Sequence, residues 1–173
     1  MSERAKVVKT WLQGWATTHR IKGDHLHVCM LGCAEGEDSL SHYLNCPRVF
    51  GSISFFWPGA PADPVQRCGL CSPSKQTLKW LACTFSAYHD LKSKYSKDFE
   101  ASNHVQTHHM DKYWVFFAQS LRAEAVMCGL TIPHFDPRAF CIFSNRFRIS
   151  TMSRVGCASN GRLILGSSFD KYY

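Results

Sequence analysis

The stretch CMLGCAEGEDSLSHYLNC, residues 29–46, places three cysteines and one histidine within eighteen positions, at the spacing Cys29-x3-Cys33-x8-His42-x3-Cys46. A near pair, a polar spacer and a second near pair restrict the folds open to this chain. Four soft or borderline donors so arranged suit one tetrahedral zinc ion, with sulfur at about 2.3 Å and imidazole nitrogen at about 2.0 Å. Gly32 lets Cys29 and Cys33 turn back toward one point, and AEGED after Cys33 is polar turn sequence. Ser39 to Asn45 reads as a short helix begun by Asp38 or Ser39, on which His42 and Cys46 stand at i and i+4 on one face. The rival reading, three small core cysteines and a surface histidine, does not account for the two-plus-two spacing. His25 and His27, alternating in HLHVC, compete for a ligand position.

A disulfide loop is disfavoured by the compartment that the chain implies. MSERAKVVKTWLQGW is basic and amphipathic, unlike a secretory leader, and no run approaches the roughly eighteen apolar residues that span a bilayer. The expectation is an intracellular protein, nuclear or cytoplasmic, with no membrane association. In a reducing compartment nine cysteines stand free or metal-bound, and an odd number cannot all pair within the chain. At 173 residues and 45% hydrophobic, the chain can bury a core as one domain, or as one domain plus a small metal-held module. A net charge of +7 favours an anionic partner such as nucleic acid.

The periodicity is helical. Val7, Val8, Trp11, Leu12 and Trp15 predict an amphipathic helix over residues 5–19 with a basic polar face, ending before Gly23. Arg48 to Trp57 reads as a short helix packed on the first, and WPGAPADP marks a break. From Ser74 a long helix carries Leu78, Leu81, Phe85 and Tyr88 on one face, with Lys92, Lys94 and Lys97 in its last turns, where cations suit the dipole. A further helix is predicted from Ala101 to Cys128, stopped by Gly129 and Pro133, with Val105, Trp114, Phe117, Leu121 and Ala125 as its core stripe. The long helices should pack as an antiparallel pair. At least two of Trp11, Trp15 and Trp57 should belong to the core. The knuckle has few large apolar residues of its own, so its fold should depend on metal, whereas the helical pair has its own stripe.

Other clusters are weaker. Cys68 and Cys71 in CGLC, with Cys83 and His89, leave a second zinc site open, but a helix lies between Cys71 and Cys83. The Pro-rich segment before CGLC lacks the strand that a redox motif needs, and the reading places Cys68 and Cys71 in a connecting loop. His104 and His108 share a helix face, with His109 beside them, yet no Glu lies between as in HExxH. They read as solvated. Between Pro137 and Phe169, Arg138, Arg146, Arg148, Arg154 and Arg162 occur with no acid, interleaved with Phe140, Phe143 and Phe147. This reads as a weakly ordered basic tail, ahead of a backbone-tracking segment with stacking aromatics.

WLQGWATTHR, followed by Cys29, Cys33, His42 and Cys46 with EGEDSLSHYLNCP joining the halves, resembles the zinc-binding segment at the C-terminal end of non-LTR (LINE-type) retrotransposon reverse transcriptases. The resemblance covers about residues 7–57. It implies a zinc-stabilised module that assists binding of RNA or target DNA, and it carries the ligand role to Cys29, Cys33, His42 and Cys46. It carries no catalysis, because the paired aspartates of the polymerase motif are absent from this sequence. The expectation is therefore a mainly α chain: a helix plus CCHC zinc knuckle at 1–57, a Pro-rich linker at 58–73, a helical pair at 74–130 and a basic tail at 131–173. It should bind RNA or single-stranded DNA through Lys6, Lys9, Arg20, Lys22 and Arg48, without enzymatic activity. The alternatives are a zinc-stabilised module for a protein partner and a decayed fragment with no activity.

Overall fold

The computed structural model describes residues 1–17, 20, 28–33, 36–101, 110–140 and 142–143, with backbone alone at 96, 98–101 and 110–111. The chain is mainly α. Its helices are α1 (Glu3–Trp11), α2 (Leu40–Asn45), α3 (Pro47–Phe56), α4 (Pro64–Arg67), α5 (Lys75–Ala101) and α6 (Met110–Met127). Among the described residues the only extended pairing is an isolated antiparallel bridge between Val28 and Glu37.

Helix α1 begins where Ser2 accepts a hydrogen bond from the Ala5 N–H, and it stops at Trp11, short of the predicted residue 19. The reason is a closed C-terminal turn. Gly14 N–H reaches the Lys9 carbonyl at 2.5 Å and Gln13 N–H reaches Thr10 at 3.1 Å, while Gln13 takes a φ of 54°. A Cβ at Gly14 would lie 2.8 Å from the Lys9 oxygen, so the turn requires glycine there. The chain thereby leaves the helix before Trp15, which turns inward and is 1% exposed. Val8, Trp11 and Leu12, expected on the apolar face, are exposed instead.

Helix α5 starts at the Ser74 cap, whose Oγ accepts from Thr77 N–H at 3.0 Å. Leu81, Phe85 and Tyr88 are buried along it, as are Trp114, Phe117, Leu121 and Ala125 along α6. The two helices are antiparallel. Tyr95 and Tyr113 meet at one end with ring centroids 4.8 Å apart, and Lys79 donates to the Cys128 carbonyl at the other. Ala101, predicted to open the second long helix, closes α5, and Val105 lies outside the described residues. Helix α6 ends as predicted at Gly129, whose φ is 67°.

Helix α3 does not pack on α1 as expected; it lies against α6, where the Trp114 indole donates to the Arg48 carbonyl at 3.0 Å and to Ser52 Oγ at 2.8 Å. Helix α1 instead lies along α5, with Val7 against Leu81 and Ala82. The segment 58–73 holds α4, capped by Asp63, and Arg67 of α4 donates to the Leu44 carbonyl at 2.8 Å, capping the end of α2. One buried cluster runs from Trp15, Cys29, Tyr43 and Cys46 through Phe85 and Tyr88 to Phe117, Leu121, Phe135 and Phe140. The segments 1–57 and 74–130 thus share a core. Of the expected tail at 131–173, residues 131–140 and 142–143 are described, with Phe135 and Phe140 buried; residues 141 and 144–173, with Arg146, Phe147, Arg148, Arg154 and Arg162, lie outside the described residues.

Candidate metal centre

Local turns bring the four predicted ligands together. Val28 pairs with Glu37, so Cys29 N–H reaches the Gly36 carbonyl at 2.5 Å and the chain between them closes into a loop. Within it Gly32 N–H returns to the Cys29 carbonyl at 2.9 Å, and the φ of 82° at Gly32 makes that turn available. Ser39 caps α2 by accepting from His42 N–H at 3.2 Å. Cys46 ends α2 and is at once the N-cap of α3, where Pro47 at the first helical position pre-sets the new axis.

The donor atoms of Cys29, Cys33, His42 and Cys46 all lie within 4.8 Å of one another. Cys33 Sγ is 3.4 Å from Cys46 Sγ, and Cys29 Sγ is 4.0 Å from it. These separations bracket the roughly 3.8 Å that a tetrahedral ion with 2.3 Å metal–sulfur bonds imposes. Cys29 and Cys46 are fully buried, and Cys33 and His42 are half-buried. His42 Nε2 is buried without a hydrogen-bond partner, an arrangement that costs free energy unless another atom takes its lone pair or proton. The ring also occupies the space of a missing side chain, since a Cβ at Gly36 would stand 2.2 Å from His42 Cε1. An orphaned buried nitrogen, a glycine cradle and three converging sulfurs fit a metal ion, and the donor set is compatible with zinc.

The electrostatics are those of a site ready to exchange protons for a cation. Hydrogen bonds from Cys29 and then Cys46 pull the Cys33 thiol down to about 4 against the opposing effect of burial, and the Arg48 charge and backbone N–H assist. Burial pushes Cys46 well above the ordinary thiol range, and hydrogen bonding with Cys29 and Cys33 adds to it. Cys33 is therefore a thiolate beside the protonated Cys46, and a metal ion would displace the Cys46 proton.

Beneath the site lies a polar network that joins it to α5. Asp38 is 1% exposed and accepts from Tyr43 and Tyr88 hydroxyls, both at 2.9 Å, and from Lys92 at 3.0 Å. The Tyr43 oxygen also accepts from Met30 N–H at 3.1 Å, between Cys29 and Cys33. Burial, followed by neighbouring negative charge, raises both tyrosines, so they remain donors. Trp15 packs over both rings, 5.9 Å from Tyr43 and 4.7 Å from Tyr88. No local pattern marks this network in the sequence, because Asp38 and Lys92 are 54 residues apart.

The predicted basic residues fare differently. Lys6 is held by Glu124 at 2.8 Å, and Arg48 lies over the Trp114 ring at 4.7 Å. Lys9 and Arg20 are exposed, while Lys22, His25, His27, His104, His108 and His109 lie outside the described residues. Among the described residues, Cys68, Cys71, Cys83 and His89 do not form a second cluster able to hold a metal. Cys68 is buried at the end of α4 and burial pushes its thiol up to about 11; Cys71 is exposed. Cys83 bonds with Cys128 between the long helices, and His89 packs on Phe85 with centroids 4.2 Å apart. Among the described residues no helix is long and apolar enough to cross a membrane.

No family model, curated protein or solved structure matches this chain.

Proposed function

We propose that the chain is a zinc-held helical module that binds RNA or single-stranded DNA inside the cell and catalyses no reaction. The observation that carries the metal assignment is the convergence of Cys29, Cys33, His42 and Cys46 donor atoms within 4.8 Å. Zinc bound there is structural, because four protein donors leave no open position for water or substrate. The nucleic-acid reading draws support from the net charge of +7, from the exposed Lys9 and Arg20, and from the resemblance of residues 7–57 to the zinc-binding segment of LINE-type reverse transcriptases. Lys9, Arg20 and Lys22 are the proposed phosphate contacts, with Lys6 and Arg48 supporting the fold through Glu124 and Trp114.

Metal analysis and a salt series test both halves. The reduced chain should carry one zinc, lost in Cys46→Ser. Affinity for a single-stranded oligomer should fall with salt with a log–log slope of about −2 for three phosphate contacts. Binding unchanged in the Lys9→Ala, Arg20→Ala, Lys22→Ala triple variant would overturn the nucleic-acid half. A second reading, a zinc-held module for a protein partner, is favoured by Val126 and Met127, which are 52% and 71% exposed at the end of α6.

A further inference from the structure

The tryptophans divide sharply by environment. Trp15 packs among Tyr43, Phe85 and Tyr88; Trp57 and Trp80 stack on each other; Trp114 meets Phe140 and Arg48. Trp11 stands apart. Among the described residues its ring contacts no other ring, and it is 43% exposed. Its orientation is nevertheless held, because Nε1 donates at 2.8 Å to the carbonyl of Cys68, itself 4% exposed at the end of α4. The indole has satisfied its polar atom inside the protein and presents apolar surface outside.

The surroundings specify what that surface meets. Arg4, Val8 and Trp11 follow one another at i, i+4 and i+7 along the outer face of α1, and all three are exposed. Lys9 is also exposed, but two residues from Trp11 it stands on a different face of the helix. The helix's only acid, Glu3, is engaged by the Cys128 thiol in a hydrogen bond. An aromatic ring held in place, with the exposed Arg4 two turns away on the same helix face, suits a base stacked beside a phosphate. A base offers a π face to any indole, and an indole already oriented loses little entropy on stacking. Deepening the nucleic-acid reading above, and resting on it, we infer that Trp11 is a stacking platform for one unpaired base of a single-stranded nucleic acid, with Arg4 taking a neighbouring phosphate.

The test compares oligothymidylate with an abasic oligomer of equal length and phosphate count, on the full zinc-loaded chain. The wild type should prefer oligothymidylate by roughly 5- to 150-fold, the range that one stacked base supplies. Trp11→Ala should bind both oligomers equally, at the wild-type affinity for the abasic one, and Trp11→Phe should keep part of the preference. Equal binding of both oligomers by the wild type, or a preference that survives Trp11→Ala, overturns the stacking role and leaves the nucleic-acid reading standing. Binding of neither oligomer at low salt overturns both. If Trp11→Ala fails to fold, photocrosslinking of a bromouracil-substituted oligomer to the wild-type chain decides: adducts on Trp11 support the platform, and adducts confined to other residues overturn it.

Discussion

Lys92 Nζ lies 3.0 Å from Asp38 Oδ2, and this contact ties the middle of α5 to the turn that launches the metal-bearing helix α2. Asp38 is the buried partner, with 1% of its side chain exposed against 20% for Lys92. Burying a carboxylate is costly unless it is paired and hydrogen-bonded, and the Tyr43 and Tyr88 hydroxyls donate to it as well.

Asp38→Ala should therefore destabilise the fold by about 3–5 kcal/mol, since it leaves the Lys92 ammonium and the buried Tyr43 hydroxyl without their carboxylate acceptor and leaves Tyr88 only the Ala16 carbonyl. Lys92→Met should cost less, because water reaches that side of the pair. Urea midpoints of the two variants check the order, and a Lys92→Met loss equal to or larger than that of Asp38→Ala would contradict it.

Gly36→Ala should weaken metal binding by at least about tenfold, the scale of effects seen when the orientation of a ligand is disturbed. The added methyl would stand 2.2 Å from His42 Cε1, within a loop closed by the Cys29–Gly36 hydrogen bond. Gly59→Ala meets nothing nearer than 3.3 Å and serves as the control. Chelator competition measures both.

Metal removal should be felt in α5 as well as in the knuckle. The sequence suggested that the helical pair would stand alone, yet Trp15, Tyr43 and Tyr88 pack together and Asp38 binds α5 directly. Hydrogen exchange after chelation should show lost protection at residues 29–46 and also around Tyr88, with protection retained between Trp114 and Ala125. Protection unchanged at Tyr88 would show that the two regions are uncoupled.

Stability should also fall as the solution is acidified through the histidine range. Burial holds His89 below its ordinary value of 6.5, with Lys9 and Lys92 adding to the shift. The folded chain then binds fewer protons than the unfolded chain just below pH 6.5, so stability rises with pH there and is lost as pH falls. His89→Phe removes the titrating group. The difference between wild type and His89→Phe in urea midpoint should shift against the wild type between pH 7.5 and pH 5.5, and a pH-independent difference would contradict the assignment.

Much of the candidate metal site was legible from residues 29–46 alone, because its geometry is local. A left-handed Gly32 closes one pair, one helical turn after Ser39 aligns the other, and nothing distant is required to bring four donors near one point. The stripes of α5 and α6 were legible for the same reason: Leu81, Phe85 and Tyr88, or Trp114, Phe117 and Leu121, share a face by helical period whatever they pack against.

Only the tertiary structure decided what those faces meet. Helical periodicity joined Trp11 and Trp15 on one apolar stripe, but a six-residue closing turn at Lys9–Gly14 separates them, leaving one indole at the surface and burying the other. Lys6 and Arg48 read as free cations, yet Glu124, 118 residues away, and the Trp114 ring occupy them. Asp38 read as part of a polar turn and is a buried hub. Spacing along the chain determines which donors a turn or helix can align, whereas ion pairs and packing partners depend on how separate elements share one core. That sharing set α1 against α5, α3 against α6 and Lys92 above Asp38.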